Sequence, residues 1–362
     1  MRALLPCLAL PALLTAVPVA AQKVESFTVA GRTVAIYNLA GTVRVERGTG
    51  SAVTVDVTRM GADAGHITVE TGPLDGRGTL RVRYDGDRIT YPKMSRGSET
   101  TINVRKDGRW GDGDDGETRG FNRLWKNGNR VRISNRGSGI EAWADLVIHV
   151  PDGVTATVHH AVGTVESQGV HAALSIDLAS ATVDVRDHVG NLAVDAGSGR
   201  ATLANVDGRV SLDLGSGGTE LRDVKASDLH IDVGSGSVSG DNVSVSGLLD
   251  VNAGSGHADF KRLSARRAKL DLGSGGLTAE FLTDIDDLRI DSGSGSVTLY
   301  LPPTVGATLN IDAGSGGVSS EFPVTVSRTE PNHLAGTLGD GKGHIEVDSG
   351  SGSVRLKKLV TR

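Results

Sequence analysis

Val194-Asp195-Ala196-Gly197-Ser198-Gly199 is one copy of the motif that decides the architecture of this chain: an aliphatic residue, Asp, any residue, then Gly-Ser-Gly. Later copies place their first Gly at 215, 234, 254, 273, 293, 314 and 350. A relaxed copy, Ile176-Asp177-Leu178-Ala179-Ser180-Ala181, precedes them. The steps run 18, 18, 19, 20, 19, 20 and 21 residues, then 36. The last step fits two turns of the repeat, with Val324 to Gly341 expected to fill the degenerate one. Self-similarity at a fixed period of this length marks a stack of supersecondary units that bury their apolar faces on one another.

Between the motifs, apolar and polar residues alternate. Leu229, Ile231 and Val233 fall on one face of a strand, His230 and Asp232 on the other. No segment of the repeat carries a sustained helical stripe. The expected fold is all-β, a parallel β-solenoid of 18–21-residue coils over 151–362, each strand pairing with its equivalent one coil away. The glycines mark corners where backbones approach closely or adopt angles closed to residues with a Cβ. Residues 24–70 alternate as well, as in Val53-Thr54-Val55-Asp56-Val57, and so do 79–84 and 145–150, so 22–150 read as an N-terminal β region, either a β cap on the stack or an irregular start of the same solenoid.

Asp177, Asp195, Asp213, Asp232, Asp271, Asp291, Asp312 and Asp348 share one repeat position, with Asn252 standing among them. Stacking sets neighbours about 4.8 Å apart. Like charges at that separation repel by about 0.9 kcal/mol in water and about 3.5 kcal/mol at an effective dielectric of 20. Three readings offset or use this repulsion. Each carboxylate accepts amide hydrogens from its own Gly-Ser-Gly corner, a role Asn252 could share. Alternatively the column holds a row of cations such as Ca²⁺. A catalytic row is a third reading, but catalysis needs acids in unequal environments, and a uniform column offers equal ones. The corner ladder is the preferred reading.

Composition narrows the class. The chain has 362 residues, 50 of them Gly, 12 aromatic and one Cys, so any core rests on Val, Leu, Ile and Ala. Residues 1–21 read as a secretory signal peptide: Arg2 at the start, an apolar stretch to Val17, and Val19-Ala20-Ala21 before Gln22. Removing it takes away Cys7 and leaves a chain without disulfides, held by packing alone. No later segment is long and apolar enough for a transmembrane helix. The expected location is outside the cytoplasm: periplasm, cell envelope or extracellular space.

Charge is uneven. Gly76 to Arg136 holds 15 Lys/Arg against 8 Asp/Glu, while the rest of the chain after residue 21 is acidic. An acidic body argues against nucleic acid as a partner. Within the basic segment, Gly97 to Arg136 is rich in Gly, Arg and Asp. Its candidate ligand-contact residues are Arg109, Trp110, Arg119, Arg123 and Trp125, since Trp faces and Arg forks suit a carbohydrate or anionic surface. The bland reading of the same segment is a solvated hairpin or loop. His159, His160, His171 and His188 lie near coil spacing without the fixed pattern of a zinc site. Neither a nucleophile elbow nor a Lys-bearing phosphate loop is present. No catalytic group, cofactor or metal is therefore expected.

Tyr37-Asn38-Leu39-Ala40-Gly41-Thr42-Val43-Arg44-Val45 resembles the opening of the bacterial putative-adhesin domains of unknown function, a family of exported β-strand repeats. The repeated Asp-x-Gly-Ser-Gly corners look like the body of that family. Gly339 to Val354 looks like its usual end. The resemblance implies an exported or envelope-associated β-solenoid and carries over no catalytic residues. The expected function is a non-enzymatic, adhesin-like scaffold or binding protein whose partner is an envelope polymer, a membrane surface or a protein. Two alternatives stand beside it: a polysaccharide-acting enzyme, by analogy of fold alone, and a cation-stabilised surface structural protein.

Overall fold

The coil around Asp195 shows how the repeat becomes structure. Leu192–Ser198 is a strand whose Leu192, Val194 and Ala196 face inward and are buried, while Asp195 faces out. After the glycine corner the chain turns into Ala201–Ser216, burying Ala201, Leu203 and Val206 before the next coil begins. The two coils pair in parallel, with Val194 on Leu212 and Asp195 on Asp213. The same register continues through the later copies, so the aliphatic columns merge into one continuous core. The computed structural model describes residues 23–111 and 128–360. The expected leader, residues 1–21, lies outside them.

Close approach explains the corner glycines. A Cβ on Gly217, whose φ is +128°, would stand 1.6 Å from the carbonyl oxygen of Gly199 one coil away. A second corner column is formed by Asp187, Asn205, Asp223, Asn242 and Arg262, all left-handed with φ between 51° and 58°. Asn and Asp tolerate that region better than other side-chain-bearing residues. They also bond along the stack: Asn205 Nδ2 donates to Asp187 Oδ1 at 2.6 Å, and Asn242 Nδ2 to Asp223 Oδ1 at 2.5 Å. Asp187, Asn205, Asp223 and Asn242 recur at nearly the step of the glycine motif, a signal overshadowed by Gly-Ser-Gly.

At the N-terminal end, Thr33–Arg47 is itself a coil, paired in parallel with Thr155–Gln168. Val24–Val29, Val53–Met60 and Trp143–Val150 mix antiparallel and parallel pairing around it, and the hairpin of Ile67–Leu74 and Arg77–Tyr84 joins its free edge. A second, four-stranded sheet, comprising Arg88–Thr90, Glu99–Arg105, Gly128–Ser134 and Ile140–Glu141, is laid over the outside of the first coils. Its Ile89, Ile102, Val131 and Ile133 pack with Tyr37, Leu39, Ala161 and Val162. The 97–136 segment thus contributes an antiparallel strand pair with a buried apolar side as well as loop.

The C-terminal end departs from the expected order. Val324–Glu330 and His333–Leu338 are an antiparallel hairpin, not a degenerate coil, and the hairpin lies antiparallel on Ala307–Asp312. Val324–Glu330 offers almost no inward face, so it cannot continue the core. It closes the end of the sheet, where a bare strand edge would invite pairing with other chains. The final coil, Gly343–Ser349 with Val354–Lys358, then sits between two earlier coils instead of beyond them. Among the described residues no helix is long and apolar enough to cross a membrane.

Candidate functional site

The outward Asp positions form one column in space. Asp177, Asp195, Asp213, Asp232, Asn252, Asp271 and Asp291 stack in chain order, followed by Asp348 and only then Asp312. An imidazole stands at each end. His159 Nδ1 is 2.9 Å from Asp177 Oδ2, and His333 Nδ1 is 3.6 Å from Asp312 Oδ2. Between the ends, Asp195, Asp213, Asp232, Asp271, Asp291 and Asp348 have no cation within ion-pair distance among the described residues.

Crowding has an electrostatic cost. Asp195 is exposed at its tip yet shouldered by its neighbours; partial burial first, then the charges of Asp177 and Asp213, push its carboxyl up to about 6. The corner bond expected of every member is made at Asp312, whose Oδ1 accepts from the Gly314 amide at 2.9 Å. Asp177 is tied to His159 instead, and the remaining carboxylates are at least partly open to solvent without the corner bond, so hydration rather than turn capping offsets most of the repulsion between them. Among the described residues, no three His, Cys, Asp or Glu side chains converge to hold a metal ion.

The column is covered at its start. Tyr37 and His159 occupy the same register position as the aspartates and stack at 4.4 Å with 1° between their planes. Arg81 continues the register beyond Tyr37 and donates to the Asp107 carbonyl at 3.0 Å. Trp110 meets His159 edge-on at 5.8 Å. The Gly111 backbone lies so close that a Cβ there would be 2.1 Å from Asp177 Oδ2. This places two of the predicted contact residues. Trp110 is buried in the second apolar cluster, and the Arg109 guanidinium is largely buried between Asp75 and Asp107. The ion pairs raise the Arg109 pKa against the opposing effect of burial. Trp110 anchors the covering segment to the stack, and Arg109 ties it to Asp75 in the turn of the 67–84 hairpin. Arg119, Arg123 and Trp125 lie outside the described residues.

Beneath this cover the inward column turns polar, which sequence reasoning missed. Asn38 and His160 occupy the position held by Leu178 and Ala196 further along. His160 Nε2 donates to the Gly41 carbonyl at 3.0 Å. Asn38 Nδ2 donates to the Ala144 carbonyl at 2.8 Å, and the Tyr84 hydroxyl donates to Asn38 Oδ1 at 2.9 Å. Burial pushes the His160 pKa down to about 4 and holds the Tyr84 hydroxyl well above its usual value. The available signal was the pair Tyr37-Asn38 and the pair His159-His160, which replace the usual Asp-aliphatic pair at the repeat position.

Stacked parallel coils, glycine corners and an outward carboxylate column define an all-β solenoid of repeated surface. The chain belongs to the Toastrack DUF4097 family, whose profile matches residues 34–357. Among solved structures it is similar to a putative cell adhesion protein from Clostridium sporogenes ATCC 15579. The two are 13% identical over 93% of this chain and 100% of that one, with a TM-score of 0.21, a superposition too loose to carry an argument about function. No curated protein matches the chain.

Proposed function

We propose that the protein is an exported, non-enzymatic scaffold of the cell envelope, adhesin-like in that its repeated face engages an extended partner. One observation carries this reading: an outward Asp, replaced once by Asn252, recurs in register on successive coils from Asp177 to Asp312. A surface repeated about every 4.8 Å suits a polymer or a broad surface, because many weak contacts add without any single deep pocket. The export half of the proposal rests on the leader-like residues 1–21. The basic segment, including Arg119, Arg123 and Trp125, is proposed as a second contact element.

The test is retention of the processed chain on envelope material. A variant with Asp195, Asp213 and Asp232 all changed to Asn should be retained less. Equal retention of both proteins would move the contact off this face, and no retention of either would sink the scaffold reading. Turnover of a polysaccharide, abolished by a single Asp→Asn change, would overturn its non-enzymatic part.

A further inference from the structure

The last coil of the chain is an interior coil of the stack. Gly343–Ser349 pairs in parallel with Asp287–Ser292 on one side and with Ala307–Asp312 on the other. Val354–Lys358 likewise lies between Val297–Leu301 and Val318–Ser320. After Leu301 the chain therefore leaves a slot one coil wide, builds the next coil beyond it, closes the end with a hairpin and fills the slot last. We propose that this slot also accepts the C-terminal coil of a second copy of the chain, so that copies join by reciprocal exchange of residues 343–360.

Three features carry the inference. First, the slot must be filled. His344 N donates to the Asp286 carbonyl at 3.0 Å and Val354 N to the Gly317 carbonyl at 3.0 Å, so the inserted coil satisfies backbone groups on both flanks. Its Ile345, Val347, Val354 and Leu356 are fully buried. An empty slot exposes two strand edges and opens the core between them, and edges of that kind recruit strands. The segment that fits them best is the one that already does, from any copy.

Second, the connection is a hinge. Only Gly339-Asp340-Gly341-Lys342 links the hairpin to the coil. Gly339 and Gly341 sit in the left-handed region, at φ of 50° and 69°. Extending this turn costs little in side-chain packing and carries the coil away from its own slot. Short turns of this kind favour exchange between protomers.

Third, the coil beyond the slot offers a detached coil no second parallel edge. The outer edge of Ala307–Asp312 is already paired with His333–Leu338. The coil returns to its slot or enters another copy's slot, and protein concentration decides between them.

Arg289 and Glu346 make the exchange readable. They are register partners across one wall of the slot, and both side chains are exposed. The chain after residue 21 contains no Cys. Arg289→Cys is prepared in one batch of processed chain and Glu346→Cys in another. The two are unfolded, refolded together at high concentration and oxidised. The expected product is a heterodimer of doubled mass joined between positions 289 and 346, identified by peptide mapping. With both cysteines in one chain, oxidised before the same treatment, the coil is tied in and the dimer disappears. Mixed single variants that never form the 289–346 bond, while the double variant closes its own, would overturn the exchange. Failure of the double variant to close would overturn the slot itself. For the unmodified chain, light scattering should show a dimer fraction rising with refolding concentration, and a monomer at every concentration would also overturn it.

Discussion

At Asp195 and Ala196 the strand points a carboxylate outward and a methyl group inward. At the same two positions of the end coils, Tyr37 with Asn38 and His159 with His160, an aromatic ring points outward and a polar group inward. Backbone register is shared, and the chemistry is reversed. The reversal follows from what lies on either side. A second sheet covers the outside of the end coils, so an outward ring there is buried and stacked. Inside, the carbonyls of Gly41 and Ala144 accept side-chain hydrogen bonds in place of the purely aliphatic contacts of the middle coils. Alternation assigns a residue to a side of the strand; the neighbouring layer decides whether that side is wet.

The hardest blow to the stacked geometry should come from Gly217→Val, which forces a side chain into the Gly199 carbonyl 1.6 Å from the Cβ position. A loss of at least about 3 kcal/mol is expected, against less than about 0.5 kcal/mol for the exposed Lys225→Ala. Similar urea midpoints for the two would break the view that corners hold both regions together.

Acidity should separate the two regions by sign. His160 falls from 6.5 to about 4 in the folded chain, so it is kept neutral there. Its contribution is present above pH 6.5 and is lost as pH drops through about 4, on the order of 3 kcal/mol in full. Hydrogen exchange should therefore show Thr155–Gln168 losing protection first on acidification. His160→Leu should remove that pH dependence while costing about 1–3 kcal/mol at neutral pH, because the Gly41 carbonyl loses its donor. A variant that keeps the wild-type acid profile would place the sensitive group elsewhere.

Asp195 runs the other way. Its folded pKa is raised from 3.8 to about 6, so its contribution is present below 3.8 and lost as pH rises through about 6. Asp195→Asn should stabilise the middle coils at pH 7 by less than about 1 kcal/mol, given the exposure of the site. Destabilisation instead would show that the carboxylate has a partner. The smallest effect expected is that of calcium, which should leave the melting temperature unmoved, since no set of three donors converges among the described residues. A rise reversed by chelator would restore the cation row.

Much of the stack was legible because each coil must satisfy the same neighbours. Asp177 through Asp291 land in the column their spacing assigns, and the glycines sit where coils touch. The site was less legible. Arg109 and Trp110 look like exposed contact residues by type, yet Asp75, Asp107 and His159 draw them inward, and those partners are 34, 2 and 49 residues away in the chain. Tyr37-Asn38 and His159-His160 read as irregular copies until the covering sheet gives them a reason.

The sequence alone determined that coils of 18–21 residues would stack in parallel and in register, because each unit is too thin to bury its apolar side unaided. It did not determine the order of the stack. Every copy of the motif presents nearly the same edge, so Asp312 and Asp348 are equally good neighbours for Asp291 by pattern. Only the tertiary structure chose Asp348, by using the 324–338 hairpin to close the outer edge and leaving the inner slot for the last coil.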